Sequence, residues 1–269
     1  MTRQERLSQL VDLVIERGSI RVEDAIEVLE VSAATVRRDL DALAEQQLIV
    51  RTRGGATTNA STGELPLRYR AVTQTAQKAA IACAAAELVQ PGEVIGFNGG
   101  TTTTLAAYEI GVYVSADERF ADNGITLVTN SINIANDLIV RPRVRVVVTG
   151  GVVRARSYEL IGPLSSLILP NISVDTLFLG VNGLDYTSGL YANHEGEADV
   201  NAALVKAAKK VVVLADSTKL GTTAFARIAP LSVMSTLITD SGIPALQREK
   251  LESQGIEVIL ADGPKKEEN

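Results

Sequence analysis

From residue 93 onward the chain repeats one pattern seven times: a short, almost unbroken aliphatic run, then a stretch with helical spacing. The runs are EVIGF, TLVTN, VRVVVTG, DTLFLGV, KVVVLAD, STLITD and IEVILAD. Strands that are apolar on both sides belong in a parallel sheet covered on both faces, and parallel neighbours need crossover helices. This predicts an α/β fold: an open, doubly wound, mostly parallel sheet with helices on both sides. With four Phe, six Tyr and no Trp, the core must be built from Ala, Val, Ile and Leu. Ligands of such sheets bind outside the carboxyl ends of the strands, so the loops there are the places to search.

Residues 1–58 follow a different rhythm. Leu7, Leu10, Val11 and Val14 form one helical stripe, which Gly18 ends. Val22, Ala25, Ile26 and Leu29 form a second, followed by a turn at Glu30-Val31-Ser32. Ser32 suits the N-cap of a third helix whose buried face is Val36, Leu40 and Leu43, leaving Ala34, Thr35, Arg37, Arg38 and Asp41 outward. LIVRTRGGATT then reads as two small strands joined by a tight turn. Two helices with a short turn, the second showing small, hydroxyl and Arg side chains, suit the major groove of DNA, with a basic hairpin beside it. Pattern alone also allows a dimerisation module with solvated arginines. Bulk charge does not decide: the net charge is −6, and residues 1–60 themselves carry eight Arg against ten acids.

Residues 54–66, GGATTNASTGELP, mark a boundary by composition. An Ala-rich helix follows, with Cys83 expected as a buried packing thiol. Four loops stand at strand ends. Asn98-Gly99-Gly100 with Thr101, Thr102 and Thr103 follows EVIGF and opens a helix, where free amides, hydroxyls and the helix dipole suit a phosphate. It matches neither a dinucleotide fingerprint nor a Walker loop. The others are Gly150-Gly151, the loop with Asn182, and Asp216 to Gly221 with Lys219, a partner for an anion. Each also reads as an ordinary turn. His194 reads as a helix-entry polar residue, and Glu197 as a first-turn carboxylate suited to the helix dipole.

A single Cys and a single His leave no disulfide framework and no Cys- or His-rich metal site. The N-terminus lacks a signal-like apolar stretch, and no run of ~18 apolar residues occurs, so a cytoplasmic location without membrane contact is expected.

VSAATVRRDLDALAEQQLIVRTRGGA resembles the helix-turn-helix and wing of the DeoR family of bacterial transcription regulators. NGGTTT, TLVTNS, VVVTGGVVR, DTLFLGVNGLD, GEADVNAALVKAA and VVVLADSTKLG resemble that family's effector domain, in order, so the likeness spans about residues 3–262. Two positions depart from the family pattern: Arg53 where His is frequent, and Asn98 where the loop usually begins with Asp. The resemblance implies a winged helix-turn-helix DNA-binding domain at 1–58, a linker at 59–73 and a sugar-phosphate effector domain at 74–269. It implies operator contacts by Ser32, Thr35, Arg37, Arg38, Arg51 and Arg53. It implies effector contacts by Asn98, Gly99, Gly100, Thr101, Thr102, Thr103, Gly150, Gly151, Asn182, Glu197 and Lys219. The implied partners are double-stranded operator DNA, a phosphorylated sugar and further copies of the chain as a homodimer or homotetramer. No cofactor or metal is implied.

The same scaffold resembles ribose-5-phosphate isomerase A, which makes a sugar-phosphate isomerase the rival reading. Aldose–ketose isomerisation needs a carboxylate base and support for an enediolate. The acidic positions of that pattern fall on Leu179, Asn182 and Gly183, its lysine near Ala192 and its helix Glu near Asn201. None of these side chains supplies the base, although Asp185, Glu195 and Glu197 stand nearby in sequence. The expectation is a non-enzymatic repressor released from its operator by a phosphorylated sugar.

Overall fold

The computed structural model describes residues 3–45, 48–58 and 75–261. The chain divides into two compact units, 1–73 and 74–269. The expected linker, 59–73, lies outside the described residues.

The first unit contains helices α1 (Arg3–Arg17), α2 (Val22–Leu29) and α3 (Ala33–Glu45) with strands β1 (Ser19–Arg21), β2 (Ile49–Thr52) and β3 (Gly55–Thr58). Its core is the expected set: Leu7, Leu10, Val11, Val14, Ala25, Leu29, Val36, Leu40 and Leu43, closed by Leu48 and Ile49. Glu30 takes a left-handed conformation and ends α2, and the Ser32 hydroxyl accepts from the Thr35 amide to start α3. The sequence pattern missed β1, which is only three residues long and sits between two helices. It pairs with β3, so the hairpin is a three-stranded sheet in the order β1-β3-β2. This explains the second wing glycine. A Cβ on Gly55 would stand 1.9 Å from the Ile20 carbonyl oxygen of β1. Asp39, also unexpected in the core, is buried and accepts from Arg6 at 2.5 Å, tying α3 to α1.

The second unit holds β4 (Val94–Phe97), β5 (Ile125–Thr129), β6 (Val144–Val148), β7 (Val152–Arg154), β8 (Glu159–Ile161), β9 (Val174–Gly180), β10 (Gly183–Asp185), β11 (Gly189–Ala192), β12 (Ala208–Leu214), β13 (Ala226–Ala229), β14 (Thr236–Thr239) and β15 (Glu257–Leu260). Its helices are α4 (Thr75–Ala86), α5 (Thr101–Ala116), α6 (Ile132–Leu138), α7 (Pro163–Ser166), α8 (Glu195–Ala207) and α9 (Ala245–Ser253). All seven apolar runs are strands of one sheet, β15-β14-β12-β9-β4-β5-β6, and every pairing in it is parallel. Alternate residues face opposite cores. Phe178, Val212 and Leu214 join α4, α5 and α6 on one side; Leu177, Leu179, Val211 and Val213 join α8 and α9 on the other. Phe97 and Phe178 stack across β4 and β9 with ring centroids 5.1 Å apart.

Two smaller sheets were not expected: the hairpin β7-β8 and the antiparallel β10-β11-β13. Their strands are three or four residues long, too short to show a period. Cys83 corrects an expectation: it is exposed on α4, where Ile81, Ala82, Ala85 and Ala86 are buried instead. Burial of its surroundings, with Glu109 and Glu87 nearby, still pushes its thiol above the ordinary range.

Removing one partner of a buried ion pair leaves the other uncompensated. Asp39→Ala is therefore expected to lower the thermal midpoint of the first unit, because it leaves Arg6 without its carboxylate. A double-mutant cycle with Arg6→Ala, read by thermal unfolding of the full chain, checks this; additive single effects would rule the pair out as the cause.

Candidate functional site

In the first unit α3 presents Arg37 and Arg38 to solvent, and Arg53 is exposed at the tip of the hairpin. None of the three makes an ion pair with another described residue. Arg51 differs. Its Nε donates to Asp41 at 2.8 Å, and its Nη1 donates to the Gly55 carbonyl, bracing the wing against α3. Ser32 and Thr35 share a hydrogen bond, 2.9 Å between their hydroxyls, as part of the helix cap. The six residues expected to meet DNA thus divide into three free cations, one brace and a capping pair.

In the second unit the carboxyl ends of the parallel strands gather the expected loops. Strand order reverses between β4 and β9, where successive crossovers leave for opposite faces and a crevice opens. Asn98 stands at that point and is buried. Its Nδ2 donates to the Gly180 carbonyl at 2.9 Å and its Oδ1 accepts from the Gly180 amide at 2.8 Å. Both ends of the amide clamp β4 to β9, so Asn98 shapes the crevice instead of offering its side chain to a ligand. An Asp here could not donate to the Gly180 carbonyl, which is the physical meaning of that departure.

Gly100 follows with φ +149° and caps α5 without a side chain. Its carbonyl accepts from the Thr103 hydroxyl at 3.1 Å and the Thr104 hydroxyl at 2.6 Å. Thr103 is fully buried, so its hydroxyl serves the turn. Thr101, half-buried, is the more accessible of the loop's first threonines, since Thr102 is buried. Gly150 accepts from Ser165 at 2.8 Å, and the Asn182 side chain accepts from the Asn193 amide at 3.1 Å. Lys219 lies in the short turn after β12, half-buried, without a hydrogen bond or ion pair from its ammonium to a described residue. His194 caps α8, its Nδ1 accepting from the Gly196 amide at 3.1 Å, as a helix-entry residue should.

The structure adds residues that no sequence motif marks. Glu159, on β8, is buried and reaches across to the phosphate-loop candidate, where its Oε1 accepts from the Gly99 amide at 2.9 Å. Asn130, at the end of β5, donates to the same oxygen at 3.3 Å. On its other side Glu159 meets Glu197, which is buried in the first turn of α8 and takes Arg154 of β7 at 2.9 Å. Burial, with the facing Glu197 carboxyl second, pushes Glu159 up to about 8. Glu197 was expected at this edge; its role as partner to Arg154 was not. The amide oxygens of Asn130 and Asn201 are buried with no hydrogen-bond partner among the described residues. Asn201 is one turn beyond Glu197 on α8. This edge is therefore rich in acceptors at one end, with a helix N-terminus and a lysine turn nearby in the fold. Among the described residues no group of three or more His, Cys, Asp or Glu side chains is placed to hold a metal.

Residues 6–62 match the family model described as a DeoR-like helix-turn-helix domain, and residues 73–241 match the DeoR C terminal sensor domain. The chain is 37% identical to the HTH-type transcriptional regulator GlpR of Haloferax volcanii, covering 95% of this chain and 96% of that one. It is 34% identical to the putative aga operon transcriptional repressor of Escherichia coli O157:H7, covering 95% and 93%. With the glycerol-3-phosphate regulon repressor of Escherichia coli K12 the identity is 29% over 97% of this chain and all (100%) of that one. Among solved structures, ribose 5-phosphate isomerase A from Methanocaldococcus jannaschii aligns over 53% of each chain, with 23% identity and a TM-score of 0.39.

The Glu159 carboxyl has a pH signature. Folded, it keeps its proton up to about pH 8; unfolded, it loses the proton near the ordinary value of 4.5. The folded state binds the extra proton between those limits, so its stability falls as pH rises through that window. Glu159→Gln cannot ionise and can still donate to Glu197. It is expected to exceed the wild type in stability by about 1–3 kcal/mol at pH 8, with the gap closing towards pH 5. Urea unfolding at several pH values measures it, and a pH-independent gap would refute the assignment.

Proposed function

From the premise that this chain belongs to the DeoR family of transcriptional regulators, we propose that it represses sugar-metabolism genes and leaves its operator when a phosphorylated sugar or sugar derivative binds. The chain is a DNA-binding transcriptional regulator with a sensor domain for a small molecule. The observation that carries the DNA half is the pair Arg37 and Arg38, exposed on the helix after the tight turn and without ion-pair partners among the described residues. Arginine there can bond guanine edges or phosphates, and Arg53 can reach backbone or minor groove from the wing.

The phosphate belongs at the N-terminus of α5, on the amides after Gly100 and the Thr101 hydroxyl, with Lys219 as counter-charge. The name of the glycerol-3-phosphate regulon repressor, similar along its whole length, supports a phosphorylated effector. The relatives are named as regulators, and at the isomerase pattern's acidic positions Leu179 is a buried core residue and Asn182 is uncharged, which supports a sensor without turnover. One winged helix covers a single half-site, so the working form is a homodimer or homotetramer on a two-fold operator. Release is linkage: the effector must bind the DNA-incompetent state more tightly than the competent one.

Arg37→Ala with Arg38→Ala is expected to weaken operator binding by about 100-fold or more, since each contact contributes ~1–3 kcal/mol, without changing oligomeric state. Gel-shift titration with DNA from upstream of its gene, at fixed salt, checks it; unchanged affinity would remove α3 from the groove. Lys219→Ala is expected to raise the sugar-phosphate concentration needed for release by about tenfold while leaving effector-free operator affinity intact. A titration with sugar phosphates and their unphosphorylated parents decides that, and a normal release curve would place the anion elsewhere.

A further inference from the structure

The Gly99 amide lies two residues beyond the end of β4, immediately before the residues that open α5. In this structure it is already occupied. Glu159 Oε1 sits 2.9 Å away, and a Cβ on Gly99 would fall 2.3 Å from Glu159 Cγ, so the side chain fills the space above the loop. The carboxyl comes from β8, half of a two-stranded hairpin outside the main sheet. Beside it, the fully buried Asn130 donates to that same oxygen and leaves its own Oδ1 without a partner among the described residues. An orphaned acceptor beside an anion-ready helix start marks a place where a donor-bearing group is still to come.

We propose that Glu159 is an internal stand-in for the effector's phosphate: its carboxyl holds the Gly99 amide in the free protein, and an anionic ligand must displace it, moving hairpin β7-β8. The inference rests on the reading of the α5 N-terminus as the phosphate site. It goes further by giving that site a resident competitor and the ligand a mechanical output. The incoming anion binds best with Glu159 uncharged, because an ionised carboxylate displaced only a short way from the amide still repels the phosphate. The charged groups facing Glu159 are Glu197 from α8 and Arg154 from β7. Among the described residues, the loops after β4 and β5 bring it neutral groups: the Gly99 amide, Asn130 and Ser131, which bridges to it. A proton near Glu159 up to about pH 8 keeps the exchange possible at neutral pH. The unpartnered Asn130 Oδ1 remains to accept from a ligand hydroxyl next to the phosphate.

Inorganic phosphate is the probe, titrated by calorimetry into the full-length chain labelled with 15N-glycine. Glu159→Ala frees the Gly99 amide and is expected to bind phosphate at least about tenfold more tightly than wild type at pH 7, with the Gly99 resonance moving in both. Wild-type affinity is expected to fall about fivefold from pH 8 to pH 9 as Glu159 ionises, whereas Glu159→Gln stays level; this pair decides the matter if the alanine variant does not fold. Equal affinity of wild type and Glu159→Ala, or pH profiles of wild type and Glu159→Gln that coincide, overturns the inference. Phosphate that shifts the Gly100 amide but not Gly99, without an effect of either substitution, removes Glu159 and leaves the phosphate site standing. Phosphate that shifts neither glycine in any of the three proteins removes the phosphate site itself and the inference with it.

Discussion

The pairing of β4 with β9 is the constraint on which the rest of the second unit depends. Ile95, Gly96 and Phe97 lie beside Thr176, Leu177 and Phe178, and β5 occupies the other side of β4. The strands therefore leave the sheet side by side while their connections run to opposite faces, and a crevice must open between them. Gly96 permits the close approach: a Cβ there would sit 3.0 Å from Leu177 Cδ1 and 3.1 Å from Val174 Cγ1. The stacked Phe97 and Phe178 fill one face below, and the Asn98 amide bridges to Gly180 above. A buried amide with both ends satisfied fixes loop geometry without adding charge.

That neutrality matters because charge at this rim is supplied elsewhere. Glu159, Glu197 and Arg154 bring two carboxyls and one guanidinium out of water. Two carboxylates against one cation would leave an uncompensated buried charge, which costs several kcal/mol. The raised Glu159 removes the excess by keeping a proton, which it can give to Glu197 as a hydrogen bond. The proton on Glu159 and the Arg154–Glu197 ion pair together keep the cluster free of excess charge.

The seven strands were legible because the inner ones are buried on both faces, which forces an aliphatic run too long to be a turn, and the edge strands β6 and β15 keep the same run although they are only partly covered. The helix-turn-helix was legible because its stripes repeat over three helices and one residue, Ser32, carries a capping hydroxyl. β1, β7, β8, β10, β11 and β13 were not, since three or four residues hold no period and their existence depends on distant partners such as Ser19 with Thr57 or Leu190 with Ala229. Cys83 was misplaced because the helix carries small residues all round, so composition gives no stripe to orient it. In the candidate site, the expectation for Gly100, Thr101 and Lys219 came from what a strand–helix loop offers an anion. Glu159 could not: YELI has no motif, and its role arises only when a hairpin folds back 60 residues along the chain onto Gly99. The engagement of Asn98 by Gly180, 82 residues away, was hidden for the same reason.

The first unit reaches a cationic face by arrangement instead of by total charge. Its first sixty residues carry two more acids than bases. Asp39 and Asp41 each take an arginine away from solvent, Arg6 into the core and Arg51 onto the wing. What is left outward on α3 and the hairpin tip is Arg37, Arg38 and Arg53. A surface with so few free cations gains little from counterion release, so general affinity for any duplex stays low. The Arg51–Asp41 pair offsets that loss in another way. It locks the wing to α3 before DNA arrives, and a preorganised surface loses less conformational freedom on binding. The acids near this face therefore fix its geometry: Asp41 orients the wing through Arg51, and Asp39 holds α3 to α1 through Arg6.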